Sequence, residues 1–427
     1  MNKIFKIILL ISLIIIAIII AMFCFKICPP KGPWMNPPWC TAGFARNTYN
    51  LNVEASHLNQ IKAVNMADTW GANYNFGMFE NTKNNIESSF DRVKELGSEE
   101  VYVHDFHRAV YKEKQEFTSL DYEIVDEIFA NDMRDESITE KDLEKLTKNA
   151  HERGLKLGIK HNMTFVDIGK YMINGLTQNI STSVSKDFED FNSNHTEEWI
   201  KNFFNKWEAR LIEKGKIYNK YGVDIMSITP SWMNPTFAGY EELANDLYKK
   251  LINNLRKEFK GQIHTELNIY GIIDGINGKE DWNKYDYYKL TDIKEVRVYS
   301  LPNDKYKQEG INSLLNYFNS WANEQGIKLS IFFSPFSYHD ALNGGIVEFH
   351  DSNKDYIKAI EKDWDDQVES WQIFFESING LNNLERIVAS SMWWDDAMDP
   401  EVNLKISISP SFRNKPAEEV IKQWYLK

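Results

Sequence analysis

Cysteine is scarce in this 427-residue chain, and the three that occur, Cys24, Cys28 and Cys40, all precede residue 41. The rest of the chain has none, which excludes a catalytic thiol or a disulfide framework there. Positive charge is also short: 49 Lys and Arg against 62 Asp and Glu leave a formal net charge of −13. Nucleic acid is therefore not an expected partner, because phosphate binding needs clustered Lys and Arg. From about residue 55 onward there is no low-complexity linker, no block of like charge and no repeat of solenoid length. No GxGxxG or P-loop follows the first predicted strand, so no nucleotide cofactor is expected.

What the chain does have begins with an apolar run. Ile7 to Phe25 is interrupted only by Ser12 and is preceded by Lys3 and Lys6. At about 1.5 Å per residue such a run spans a bilayer core as a helix. Residues 1–27 are therefore expected to be an N-terminal membrane anchor, and the early lysines place the rest of the chain outside the cell. A cleaved signal is the alternative, although the run exceeds the roughly 7–15 residues of a signal core and no small-x-small site follows. Lipoprotein processing at Cys24 or Cys28 fits less well, with Phe23 and Ile27 where a small residue is wanted. Residues 28–54 open on "CPPKGPWMNPPWC", a stiff, extended spacer. Cys28 and Cys40 could pair in an oxidising exterior. Asn162, Asn179 and Asn194 head N-glycosylation patterns, which agree with an exterior location but arise by chance in an Asn-rich chain.

Residues 55–427 repeat one theme: short apolar strand, loop, amphipathic helix. Strands are predicted at 62–66, 101–105, 155–160, 223–229, 262–269, 296–300, 329–334 and 386–392. Leu243, Leu247, Leu251, Leu255 and Phe259 recur every four residues. Ile311, Leu314, Leu315, Phe318 and Trp321 follow the helical period. Ser137 and Glu140 have capping-box spacing, and the glycines of "ERGLK" and "EQGIK" suit left-handed helix caps. Eight such units predict an α/β fold, a (β/α)8 TIM barrel preceded by the transmembrane helix. A doubly wound open sheet is the alternative.

Barrel sites sit on the loops after the strands. Trp70 and Tyr74 follow the first strand, and His104 and His107 stand in "VHDFHRAVY" at the second. His161 and Asn162 follow the third, Trp232 the fourth, Tyr270 the fifth and Tyr299 the sixth. Tyr338 follows the seventh, and Trp393, Trp394 and Asp395 the eighth. Aromatic residues make up 14% of the chain, with 13 Trp and 20 Tyr. An aromatic mouth with scattered His, Asn and Asp is suited to stacking on sugar rings and bonding their hydroxyls.

The order of motifs resembles clan-A glycosidases. "SITEKDLEKLTKNAHERGLKLGIKHN" is similar to their helix feeding the third strand, and "WIKNFFNKWEARLIEKGKIYNKYGVDIMSI" to the long helix leading into a Gly-Val-Asp fourth strand. "DWDDQVESWQIFFESI", "MWWDD" and "SFRNKPAEEVIKQWY" resemble the Gln-containing helix, the aromatic eighth-strand end and the terminal Lys-Pro-Ala helix. The nearest family is glycoside hydrolase family 113 and its relatives. The resemblance covers roughly residues 60–427 and implies a retaining (β/α)8 enzyme acting on β-mannan-type polysaccharides. It also implies glutamates at the ends of the fourth and seventh strands. Here those ends read Thr229-Pro230 and Ser334-Pro335, so neither glutamate carries over.

Three readings follow. An active glycosidase would use carboxylates from other places: Asp105, Glu266 or Asp340, with Glu348, Asp395 and Asp396 further along the loops. A pseudoenzyme would keep the aromatic cleft and bind carbohydrate without cleaving it. A metal-dependent hydrolase would use "HDFH", although residues three apart on a strand face opposite sides, so no metal ligand is assigned. The expected partner is a polysaccharide or oligosaccharide.

Overall fold

The computed structural model describes residues 49–66, 82–111, 119–126, 128–129, 134–135, 138–167, 195–232, 235–267, 282–299, 301, 307–344, 360–392 and 407–427. The expected anchor and most of the spacer lie outside these. Among the described residues no helix is long and apolar enough to cross a membrane.

Eight strands form the barrel: β1 (Ile61–Asn65), β2 (Glu100–Tyr111), β3 (Lys156–Asp167), β4 (Ile225–Trp232), β5 (Gln262–Leu267), β6 (Ile293–Val298), β7 (Leu329–Phe333) and β8 (Leu384–Ser390). Neighbours in chain order pair in parallel, and β1 pairs with both β2 and β8, which closes the ring. Helices α1 (Thr82–Glu95), α2 (Glu140–Glu152), α3 (Glu197–Tyr221) and α4 (Glu241–Glu258) follow the first four strands. Two 3-10 turns, Trp282–Lys284 and Tyr287–Leu290, come after β5. Helices α5 (Lys307–Gln325), α6 (Trp364–Ile378) and α7 (Pro416–Tyr425) follow the last three strands. The (β/α)8 expectation holds.

Local chemistry sets the helix ends. The capping box of α2 uses Thr139 and Asp142, two residues beyond the expected Ser137 and Glu140. Thr196 caps α3 by accepting from the Trp199 amide at 3.2 Å, and Gly222 ends it at φ 78°, where a side chain would be strained. The α5 stripe is buried as expected. On α4 the every-four pattern is only partly buried, because a step of four residues drifts about 40° around a 3.6-residue helix. The buried face runs instead through Ala244, Tyr248, Leu251, Ile252 and Leu255, with Leu243 and Leu247 at its margin.

Three strands run past their predicted ends. β2 and β3 pair without interruption from Glu100–Lys156 to Tyr111–Asp167, and Tyr122–Asp126 adds an antiparallel strand to the far end of β2. β4 does not break at Thr229-Pro230. It continues to Trp232 through a register shift, with Ile159 opposite Met226 but His161 opposite Pro230. A bulge is where a strand tolerates proline, which has no N–H for the ladder. The β4–β5 ladder accordingly stops at Ser227–His264. The Glu266 amide then donates to the Thr229 hydroxyl at 2.9 Å instead of to a backbone carbonyl.

The lumen has an apolar set, Ala63, Tyr102, Ile225, Ile293, Phe332 and Val388. Gly158 makes room for the Tyr102 ring, which a Cβ at that position would meet at 2.4 Å. The lumen is also charged. Near the strand N-termini Arg386 donates to both Glu100 oxygens at 2.8 and 3.2 Å, and the Tyr102 hydroxyl donates to Glu100 at 3.0 Å. At mid-height Lys160 pairs with one Glu295 oxygen, while His264 lies 3.3 Å from the other. Unpaired charges could not persist at such depth, and each of these has its opposite.

Candidate functional site

Side-chain alternation carries the inward rows of the strands up to the C-terminal mouth. β1 and β2 bring Asn65 and His104, β3 brings Asn162, β4 Ser231, β5 Glu266, β6 Arg297, and β8 Ser390. His104 Nε2 meets Asn65 Oδ1 at 3.0 Å, and its Nδ1 meets Asn162 at 3.1 Å. Burial, with Lys160 and Arg297 nearby, lowers the His104 pKa to about 3, so the ring is neutral and owns one N–H. Asn65 gives its amide N–H to Ser390 at 3.3 Å, leaving its oxygen for His104 Nε2–H. Nδ1 faces the Asn162 carbonyl oxygen, so the ring lies between two amide oxygens and its single N–H can serve only one of them.

Opposite this triad stands the carboxylate of Glu266. Ser231 Oγ lies 3.0 Å from both oxygens of Glu266, and Arg297 pairs with Glu266 Oε1. Arg297 also donates to Ser231 Oγ at 3.2 Å and approaches Glu295 at 3.4 Å. Burial opposes the Arg297 charge, but Glu266 and Glu295 restore it and hold its pKa above the ordinary value. Glu295, one layer deeper, is held well below the carboxylate range: Lys160 and His264 outweigh its burial. Tyr299 packs on Phe332 with ring centroids 5.5 Å apart.

The structure separates the expected site residues into four groups. Glu266, His104, Asn162 and Tyr299 come together at or near the mouth. Asp105, His107 and His161 do not, since they lie one strand step out of phase and face the helix layer. Asp105 accepts from the Ile138 amide at 2.9 Å and the Tyr218 hydroxyl at 2.7 Å, with Lys214 at 2.9 Å. Three partners, the Ile138 amide just ahead of α2 and Tyr218 and Lys214 on α3, turn that carboxylate away from the mouth, so it is withdrawn as a catalytic candidate. His107 and His161 contact each other at 2.7 Å and pack their edges on Trp207. They are withdrawn as sugar contacts. Asp340 is 65% exposed beside His339, with a left-handed φ of 54° on the β7 loop. Tyr338 is buried against Phe336 and Ile408 rather than presented to solvent. Trp232 ends β4. Trp70, Tyr74, Tyr270, Trp393, Trp394 and Asp395 lie outside the described residues, as do Glu348 and Asp396.

Sequence reading missed Asn65, Ser231, Arg297 and Ser390. The signal was available for Arg297, a charge inside an apolar strand two residues before Tyr299 and therefore on the same face. The serines gave none.

The barrel can now be set against known proteins. Its structural neighbours are β-mannanases of glycoside hydrolase family 113. One family 113 β-1,4-mannanase superposes with a TM-score of 0.57 at 16% identity, covering 87% of this chain and all of its own. The family 113 β-mannanase AaManA from Alicyclobacillus acidocaldarius gives 0.55 at 10% identity, covering 87% of this chain and 98% of its own. At such identities the likeness carries the fold alone. No protein-family model matches the sequence, and no curated protein matches it.

Proposed function

We propose that this protein is a glycoside-hydrolase-like barrel that binds a polysaccharide or oligosaccharide at its C-terminal mouth and has lost the power to cleave it. One observation carries the second half. Two-carboxylate hydrolysis needs a free acid and a free nucleophile or base, about 5–9.5 Å apart across the bond. Glu266 is instead closed by Arg297 and Ser231. β4 ends on Thr229-Pro230-Ser231-Trp232, and the chain leaves β7 through Ser334-Pro335, with neither strand end carrying a carboxylate. The amides, hydroxyls and imidazole that remain suit neutral sugar hydroxyls. The N-terminal apolar run supports an anchored protein with the barrel outside the cell.

A second reading keeps hydrolysis, favoured by the placement of Glu266 at the mouth. One experiment divides them. The full-length protein is incubated with mannan, galactan, glucan, xylan and chitin oligosaccharides, and both binding and released reducing ends are measured. Saturable binding without new reducing ends is expected. Reducing ends that disappear in Glu266→Gln would establish the hydrolase instead.

A further inference from the structure

Asp105, His107 and His161 were set aside from the mouth, yet the fold gathers them on one face. Asp105 and His161 are register partners on adjacent strands, and His107 lies two residues along β2 on the same side. All three are fully buried, and one ligand atom from each falls within 4.8 Å of the others. We propose that these side chains form a binding site for a divalent transition-metal ion of the zinc type, bridging β2 and β3 on their helix-facing side.

Ligand chemistry and spacing support the assignment. Two imidazoles and one carboxylate are a set that suits zinc, whereas calcium and magnesium want oxygen alone. Adjacent ligand atoms around tetrahedral zinc stand ~3.3 Å apart, given bonds of 2.0–2.1 Å. The separations here straddle that value: His107 Nε2 is 2.7 Å from His161 Nδ1 and 3.8 Å from Asp105 Oδ2. Small rotations of three side chains would equalise them.

The surroundings match what a metal-bound histidine uses. His107 Nδ1 has no hydrogen-bond partner but faces Asp126 Oδ1 at 3.6 Å. A metal on Nε2 would fix the proton on Nδ1, pointing it at Asp126 Oδ1, an oxygen that also pairs with Arg210 and Lys214, in a carboxylate–histidine–metal arrangement. The His161 ring is stacked on Tyr218 at 12°. Lys214 and the Tyr218 hydroxyl, which donates to Asp105 Oδ2 at 2.7 Å, are the groups that must yield. The Lys214 ammonium lies 2.9 Å from Asp105 and 2.9 Å from Asp126, so it can stay on Asp126 while a metal takes Asp105 Oδ2. Asp126 is the one carboxylate of this group that reaches solvent, at 38% exposure.

The test uses full-length protein in mild detergent, made without a polyhistidine tag and stripped with a chelator. Titration with Co2+ is followed by visible absorption, then Zn2+ is added in competition. Saturation at one ion per chain is expected, with the ligand-field bands of a low-coordinate nitrogen and oxygen set, displacement by Zn2+ and a raised melting temperature. His161→Gln should abolish that uptake, and Asp126→Asn, which touches no metal, should weaken it roughly 10–100-fold. No saturable uptake by the wild-type protein overturns the proposal without reference to any variant. Uptake unchanged in both variants also overturns it, by placing the ion elsewhere.

Discussion

At the scale of single residues, Glu266 is the pivot. Its carboxylate balances Arg297 in a place where water is largely excluded, so removing its charge leaves a guanidinium without its first partner. Breaking such a pair from one side costs about 3 kcal/mol or more. Glu266→Gln is therefore expected to lower the denaturant midpoint well beyond Ser231→Ala, which forfeits one hydrogen bond worth about 1 kcal/mol. The double variant Glu266→Gln/Arg297→Met should recover part of the loss, and a double-mutant cycle by urea denaturation measures the coupling. Equal losses in Glu266→Gln and Ser231→Ala would show that the ion pair contributes nothing. His264 supplies a pH dependence. Burial, opposed by Glu295, leaves its pKa below the ordinary 6.5. The unfolded chain accepts a proton near pH 6.5 that the native ring refuses. This contribution is complete above that pH and drains away as pH falls below it. Unfolding free energy measured from pH 8 to pH 5 should decline on the acid side, and less steeply in His264→Gln.

At the scale of elements, much was legible and the exceptions have causes. Positions of all eight strands could be read from apolar runs, because a strand covered on both faces hides its backbone among Val, Ile and Leu. The far halves of β2 and β3 could not. Residues 104–108 read His-Asp-Phe-His-Arg, and their polarity masks a ladder whose inward and outward sides both hold hydrogen-bonding groups. Thr229-Pro230 misled for the opposite reason, since a proline signals a stop unless a bulge accommodates it. Helix starts were legible to within a turn. Thr139, not Ser137, closes the reciprocal pair with Asp142, and Thr139→Ala should cost about 1 kcal/mol in chemical denaturation. Ser137→Ala should cost little by comparison.

At the scale of the whole molecule, barrel and mouth differ in how far their contacts reach along the chain. Strand count and order are local signals, repeated eight times, and a reader of sequence can sum them. The site is not local: Arg297 is 31 residues from Glu266 and 66 from Ser231, and Arg386 is 286 from Glu100. Which of two strand faces looks inward decides whether a histidine meets the lumen or a helix. Only closure of the ring settles that for His104 against His107. Sequence did reveal that the runs closing β4 and following β7 carry no carboxylate, but not that Glu266 would be tied to Ser231.

The charged lumen has a bearing on how the chain finds its register. Lys160 on β3 meets Glu295 on β6 across the barrel, and Glu100 on β2 meets Arg386 on β8. A slip of one residue in any of these strands would turn a charge outward into the helix layer and strand its opposite within. Mispaired sheets are thereby penalised far more than they would be in a barrel lined with interchangeable aliphatic side chains. Replacing the mid-height pair together, as Lys160→Met/Glu295→Leu, should hold or raise the unfolding free energy, as apolar substitutes for buried pairs often do. The same variant should refold with more misassembled, aggregation-prone material, scored by refolding yield and near-ultraviolet circular dichroism. Undiminished yield would show that the ion pairs have no part in choosing the register.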